Sequence, residues 1–80
     1  MKLPRDVSGA ELAQKLIRIG YRITRQTGSH IRLTIDKDGE HHITIPDHKS
    51  IKIGTLSSIM SDIASHFGKK KSDIIEKLFS

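Results

Sequence analysis

The chain has 80 residues, with 14 Lys and Arg against 9 Asp and Glu, a formal net charge of +5 and no cysteine. That length allows one domain with a small core, because a chain this short buries only about 60% of the surface its unfolded form exposes. The missing cysteines exclude a disulfide framework and a cysteine-type zinc site, and the charge favours polyanionic partners, nucleic acid first.

Apolar residues never run more than two in a row, far short of the roughly 20 that span a bilayer. The start Met1-Lys2-Leu3-Pro4-Arg5 lacks the apolar core of a signal segment. A soluble, unprocessed, cytoplasmic protein is expected, with no membrane association. No repeat, low-complexity stretch or linker divides the chain, so residues 1–80 are read as a single unit.

Ser8-Gly9-Ala10-Glu11 has the form of a capping box and opens an apolar stripe of Leu12, Ala13, Leu16, Ile17 and Ile19, which predicts a first helix. Gly20 suits the left-handed position after its last turn, where Lys15 and Arg18 face the negative end of the helix dipole. From Tyr21 the apolar period becomes two. Tyr21 and Ile23, then Ile31, Leu33 and Ile35, then Ile43 and Ile45 alternate with polar residues, predicting three half-buried antiparallel strands. Thr27-Gly28-Ser29 joins the first pair. Asp36-Lys37-Asp38-Gly39-Glu40 joins the second and third with hairpin chemistry. Pro46 cannot donate to a ladder and ends the third strand.

After Gly54 the helical period returns through Leu56, Ile59, Met60, Ile63 and Phe67, a second amphipathic helix. Gly68 and Lys69-Lys70-Lys71 break it, and Ser72 is placed to cap a short last helix through Ile74, Ile75, Leu78 and Phe79. The expected fold class is α+β. Its order is α-β-β-β-α, with a three-stranded antiparallel sheet, two helices packed on one face and a short C-terminal helix. This is the topology of double-stranded-RNA-binding domains, and topology alone names no function.

If Ile31, Leu33 and Ile35 face the helices, then His30, Arg32 and Thr34 face away, and Arg22, Thr24, His42 and Thr44 share that outer surface by the same count. His30 is therefore accessible among cations able to hold phosphates. An imidazole can accept or give a proton near neutrality, as cleavage of RNA by its own 2′-hydroxyl requires, with no metal involved. The plainer reading of His30 is a strand-edge polar residue bonded to the backbone. Ser29 reads first as a turn-former, and Asp36 and Asp47 read as turn residues rather than partners in a Ser-His-Asp arrangement.

His48, Lys49 and Lys52 gather before the second helix, whose free amides favour a phosphate. The alternative is a solvated loop. His41, His42 and His48 match no familiar metal-ligand spacing, so no metal and no cofactor are expected. Lys69-Lys70-Lys71 either touches nucleic acid or solvates a turn. With one Tyr and two Phe, stacking platforms for bases are scarce, so shape and phosphate recognition are favoured over sequence reading.

Two local motifs carry a resemblance. Gly28-Ser29-His30, together with Ile45-Pro46-Asp47-His48 running on through Lys52-Ile53-Gly54-Thr55-Leu56, resembles the signature of the HicA family of bacterial toxin-antitoxin systems. The likeness covers a core of roughly residues 3–66. It implies a toxin that is a metal-independent endoribonuclease acting on messenger RNA, with His30 catalytic and a HicB-type antitoxin as partner. It implies the double-stranded-RNA-binding fold as well. Ser29, Arg22, Arg32, Lys49 and Lys52 are the candidate RNA-binding residues. The chain departs from compact members by an extension over about residues 69–80, where antitoxin docking, oligomerisation or RNA choice can differ. Two other readings remain at this stage: a non-catalytic module that binds duplex RNA, and a protein-interaction domain whose charge only ensures solubility.

Overall fold

Helix α1 (Gly9–Arg18) begins where expected, with the Ser8 hydroxyl accepting from the Glu11 N–H at 3.0 Å. In the computed structural model, which describes residues 2–80, it is followed by β1 (Arg22–Gln26), β2 (His30–Ile35), β3 (His41–Pro46), α2 (Ile53–Phe67) and α3 (Lys71–Phe79). Met1, counted above in the domain and in the N-terminal segment, lies outside the described residues. The strands form one open antiparallel sheet in the order β1-β2-β3. α1 touches all three strands, α2 lies on β3, and α3 packs on α2 and α1 without meeting a strand. The expected α-β-β-β-α order with an added C-terminal helix is thus the observed one.

The core is what the two periodicities specify. Leu12 and Leu16 of α1 meet Leu33, Ile35 and Ile45 of the sheet and Leu56, Met60 and Ile63 of α2, all buried. α3 adds Ile74, Ile75 and Leu78. The β2–β3 turn carries Asp38 at φ 58° and Gly39 at φ 96°, the consecutive left-handed pair that an Asp-Gly hairpin turn needs.

Several local expectations change. Ile23 lies opposite Leu33 and so shares the helix-side face, yet it stays 43% exposed. β1 is an edge strand, and every one of its residues is exposed. Thr34 points outward by register with Arg22 and His42, yet is only 2% exposed, because the Thr24 hydroxyl (3.0 Å) and His42 Nδ1 (2.8 Å) close over its hydroxyl. α2 starts at Ile53, one residue before Gly54. Ser72 does not cap α3: Gly68 turns the chain in the left-handed conformation, and the Lys70 carbonyl already accepts from Asp73 and Ile74.

A polar seam joins the sheet to α2. A carboxylate only accepts, so His41 Nε2–H donates to Asp62 at 3.2 Å, leaving Nδ1 to accept from the Tyr21 hydroxyl at 2.8 Å. The His41 ring stacks on that of His66, centroids 4.5 Å apart, and His66 Nε2–H donates to the Lys37 carbonyl at 2.9 Å. Burial, reinforced by the Asp62 charge, pushes the Tyr21 phenol up from 10.0 to about 12.

Gly9 sits where α1 meets the end of β3. A Cβ there would lie 2.2 Å from the Pro46 carbonyl oxygen and 2.9 Å from Asp47 Cα, both backbone atoms. Gly9→Ala is therefore expected to destabilise the fold by about 1–3 kcal/mol through overpacking, although alanine is the better helix former; urea denaturation at neutral pH measures this. For Tyr21, the folded value lies above the ordinary one. The neutral phenol's contribution is complete below pH 10.0 and is lost as the pH rises toward about 12. Tyr21→Phe should be less stable at neutral pH but should lose less stability than wild type over that alkaline window, as read from paired urea melts.

Candidate functional site

His30 opens β2 immediately after the β1–β2 turn, and its backbone is held from two sides. Its N–H donates to Thr27 Oγ1 at 3.2 Å, and its carbonyl accepts from the Thr27 N–H at 2.9 Å. The Ser29 carbonyl accepts from the Asp47 N–H at 2.9 Å, which fastens the turn to the end of β3. The ring is held at one nitrogen, with the Ser29 hydroxyl 3.0 Å from Nδ1. Nε2 has no partner among the described residues, and the side chain is exposed. His30 therefore has a fixed backbone, one engaged ring nitrogen and one ring nitrogen open to an incoming group. Ser29 is both the turn-former the sequence suggested and a contact of the ring.

The outer sheet surface around His30 is uncovered by any helix. Arg25, Thr27, His30, Arg32, His42 and Thr44 line one open depression of about 490 Å³ there, a size within the usual range of ligand sites. Arg32 and Thr44, directly paired across β2 and β3, stand in it as the period of two predicts. Arg25 was not among the expected outer residues. Its presence follows from a β-bulge: Ile23 pairs with Leu33 but Arg25 pairs with Arg32, leaving Thr24 as an extra residue. A bulge sets two residues against one, so the alternation is reset beyond it. Thr24 bonds the Thr34 hydroxyl at 3.0 Å and donates to the Arg32 carbonyl at 3.4 Å, pinning the irregularity.

The remaining candidates lie elsewhere. Arg22 sits at the hairpin end of the outer face, opposite Thr34, in an exposed ion pair with Asp36 at 2.8 Å. Lys52 precedes α2 as its N-terminal cap residue, with no side-chain cap bond, and lines a different depression with Arg5, Asp6 and Ser50. Lys49 is exposed in the same loop. The histidines diverge. His41 and His66 belong to the seam with α2, His42 is tied to Thr34 and to Glu40 at 3.0 Å, and His48 is exposed in the loop. Among the described residues no three His, Cys, Asp or Glu side chains gather as a metal site, and no helix is long and apolar enough to cross a membrane.

Fold and surface together define a small α+β domain that presents a clamped histidine on the bare face of an open three-stranded sheet, among cations. The family described as HicA toxin of bacterial toxin-antitoxin matches residues 9–64, from the start of α1 nearly to the end of α2. The chain belongs to the HicA toxin family, which makes it the toxin component of a toxin-antitoxin pair and implies an antitoxin partner. The matched span contains the His30 turn, all three strands and the loop with Lys49 and Lys52, and it stops before α3. No curated protein and no solved structure matches the chain.

Thr27 fixes the His30 backbone through its hydroxyl as well as its own amide. Thr27→Val keeps the shape and removes the acceptor, so it should cost about 0.5–1.5 kcal/mol and speed exchange of the His30 amide hydrogen, measurable by two-dimensional NMR in deuterium oxide.

Proposed function

We propose that this toxin is a metal-independent endoribonuclease that cleaves messenger RNA in the cytoplasm with His30 as its catalytic group, and that a HicB-type antitoxin silences it by covering the outer sheet face. The observation that carries this reading is the His30 arrangement. A histidine with its backbone clamped at the Thr27 turn, Nδ1 on Ser29 and Nε2 open stands on a face that no other element covers.

His30 takes the proton from a 2′-hydroxyl, or gives one to the departing 5′-oxygen, through Nε2. The freed 2′-oxygen forms a bond to phosphorus as the bond to the 5′-oxygen breaks, leaving a 2′,3′-cyclic phosphate and a 5′-hydroxyl, with water giving or taking the one proton that His30 does not move. Ser29 holds the ring by Nδ1, so Nε2 is the nitrogen presented to substrate. Arg32, on the same face two residues along β2, holds phosphate charge. Lys49 and Lys52 contact the RNA backbone beyond the depression, and Arg22, paired with Asp36, contributes least.

One acid-base group of this kind supplies roughly 100- to 10,000-fold, so a slow ribonuclease is expected. Slowness suffices when the target is the pool of translating messages.

A cleavage time course in excess EDTA, comparing wild type with a His30→Ala variant shown by circular dichroism to be folded, tests the reading. Wild type should yield 2′,3′-cyclic phosphate ends, and the variant should be slower by about 100-fold or more. Products with 5′-phosphate and free 3′-hydroxyl ends would overturn the mechanism. Retained RNA binding without cleavage by either protein would replace it with a non-catalytic RNA-binding module.

A further inference from the structure

Arg25 and Arg32 are direct cross-strand partners in β1 and β2, and both line the depression that contains His30. Like charges directly opposite one another in a sheet are destabilising, and such pairs are ordinarily relieved by a carboxylate. None is supplied here. Among the described residues neither arginine has an ion-pair partner. The two carboxylates that the outer face does engage are at its hairpin end, Asp36 on Arg22 at 2.8 Å and Glu40 on His42 at 3.0 Å. Asp47, next to the Pro46 that pairs with His30, forms no ion pair with either arginine. Charge on this face is therefore segregated. The hairpin end is balanced, and the His30 end is left with two guanidinium groups.

The row continues onto the third strand. Arg25 of β1, Arg32 of β2 and Thr44 of β3 occupy one cross-strand line, set by the registers Arg25↔Arg32 and Arg32↔Thr44. Two planar forks and a hydroxyl facing one opening are donors without an acceptor among the described residues, and paired guanidinium groups match the non-bridging oxygens of a phosphodiester. His30 lies two residues back along β2, about 7 Å away by the strand rise. A ribose-phosphate chain held at this row can present a neighbouring phosphate to Nε2.

We infer that the Arg25–Arg32–Thr44 row is a phosphate-binding site for the nucleotide adjacent to the one at His30, and that the bulge at Thr24 is the device that brings Arg25 into it. The inference rests on the ribonuclease reading above for the identity of the ligand and adds Arg25 as a substrate-binding residue. Arg25 enters because the extra residue in β1 moves it to the outer face. Without the bulge Thr24 would stand opposite Arg32, and Arg25 would turn to the helix-side face opposite Ile31.

The test is binding, separated from cleavage by using the full-length His30→Ala protein as parent and a mixed-sequence single-stranded oligoribonucleotide as probe. Arg25→Gln in that parent should weaken binding roughly tenfold or more, as expected for loss of a charged hydrogen-bonding contact. It should also flatten the dependence of log affinity on log salt by about 0.7, the single-strand value for one phosphate contact. Arg25→Gln/Gln26→Arg keeps the net charge but moves the guanidinium to the face that Gln26 shares with Ile31. It should not restore binding. Full recovery by this exchange, or an Arg25→Gln variant with unchanged affinity and salt slope, would overturn the site and leave the ribonuclease reading standing. A parent that binds no RNA would overturn both. Circular dichroism and thermal melting confirm that each variant is folded before its affinity is read.

Discussion

The contact on which the rest of the structure depends is the close approach of the start of α1 to the end of β3. The Gly9 N–H donates to the His48 carbonyl at 2.9 Å, the Ile51 N–H donates to the Val7 carbonyl at 2.7 Å, and the missing Cβ of Gly9 leaves room for the Pro46 carbonyl. Asp47, between these points, donates its N–H to the Ser29 carbonyl. Three segments distant in sequence, residues 7–9, 28–30 and 46–51, are thereby stitched through main-chain groups. The turn that presents His30 is held by the same stitching that seats the first helix. A catalytic candidate at the end of the central strand of a small sheet would otherwise sit in a mobile stretch, since strand ends and tight turns have few neighbours to restrain them.

This also explains which parts of the site could be read from the sequence. Backbone hydrogen bonds carry little residue signature, so nothing in Asp47 or Ser29 announces their bond; glycine at position 9 is a trace of it, and there it is masked by the capping-box reading of Ser8 through Glu11. Helix and strand assignments were legible because the apolar periods change cleanly at Gly20–Tyr21 and again near Gly54, and because Asp38-Gly39 and Gly68 adopt the left-handed conformations their chemistry favours. The outward placement of His30, Arg32, Thr44 and His42 followed from the period of two alone.

Parity failed at β1, and the reason is local. Alternation is a counting rule, and one extra residue shifts every later position to the other face. The inserted residue here is Thr24, a β-branched type at home in any strand, with no glycine or proline beside it to signal the irregularity. What holds the bulge is a pair of hydroxyls, Thr24 and Thr34, from strands not yet aligned when a sequence is read. The same pair buries Thr34 on a face otherwise open to solvent. Ile23 shows the complementary limit. Its face is correctly read, and α1 does reach β1, yet at the edge of the sheet Ile23 stays 43% exposed.

The C-terminal helix follows a different logic from the site. α3 lies beyond the family-matched residues and packs Ile74, Ile75 and Leu78 on α2 and α1. It touches no strand, so it enlarges the core from the side opposite the bare sheet face and leaves the surface around His30 unchanged. In a chain of 80 residues without cysteine, added apolar burial is the available route to stability. On the proposed function the sheet cannot supply it on its outer face, because covering that face would remove access to His30, Arg25 and Arg32. The helical layer can grow without that conflict. The division of labour is therefore physical: the helix side carries the packing, and the uncovered side keeps two unbalanced arginines that a fold selected for stability alone would have paired.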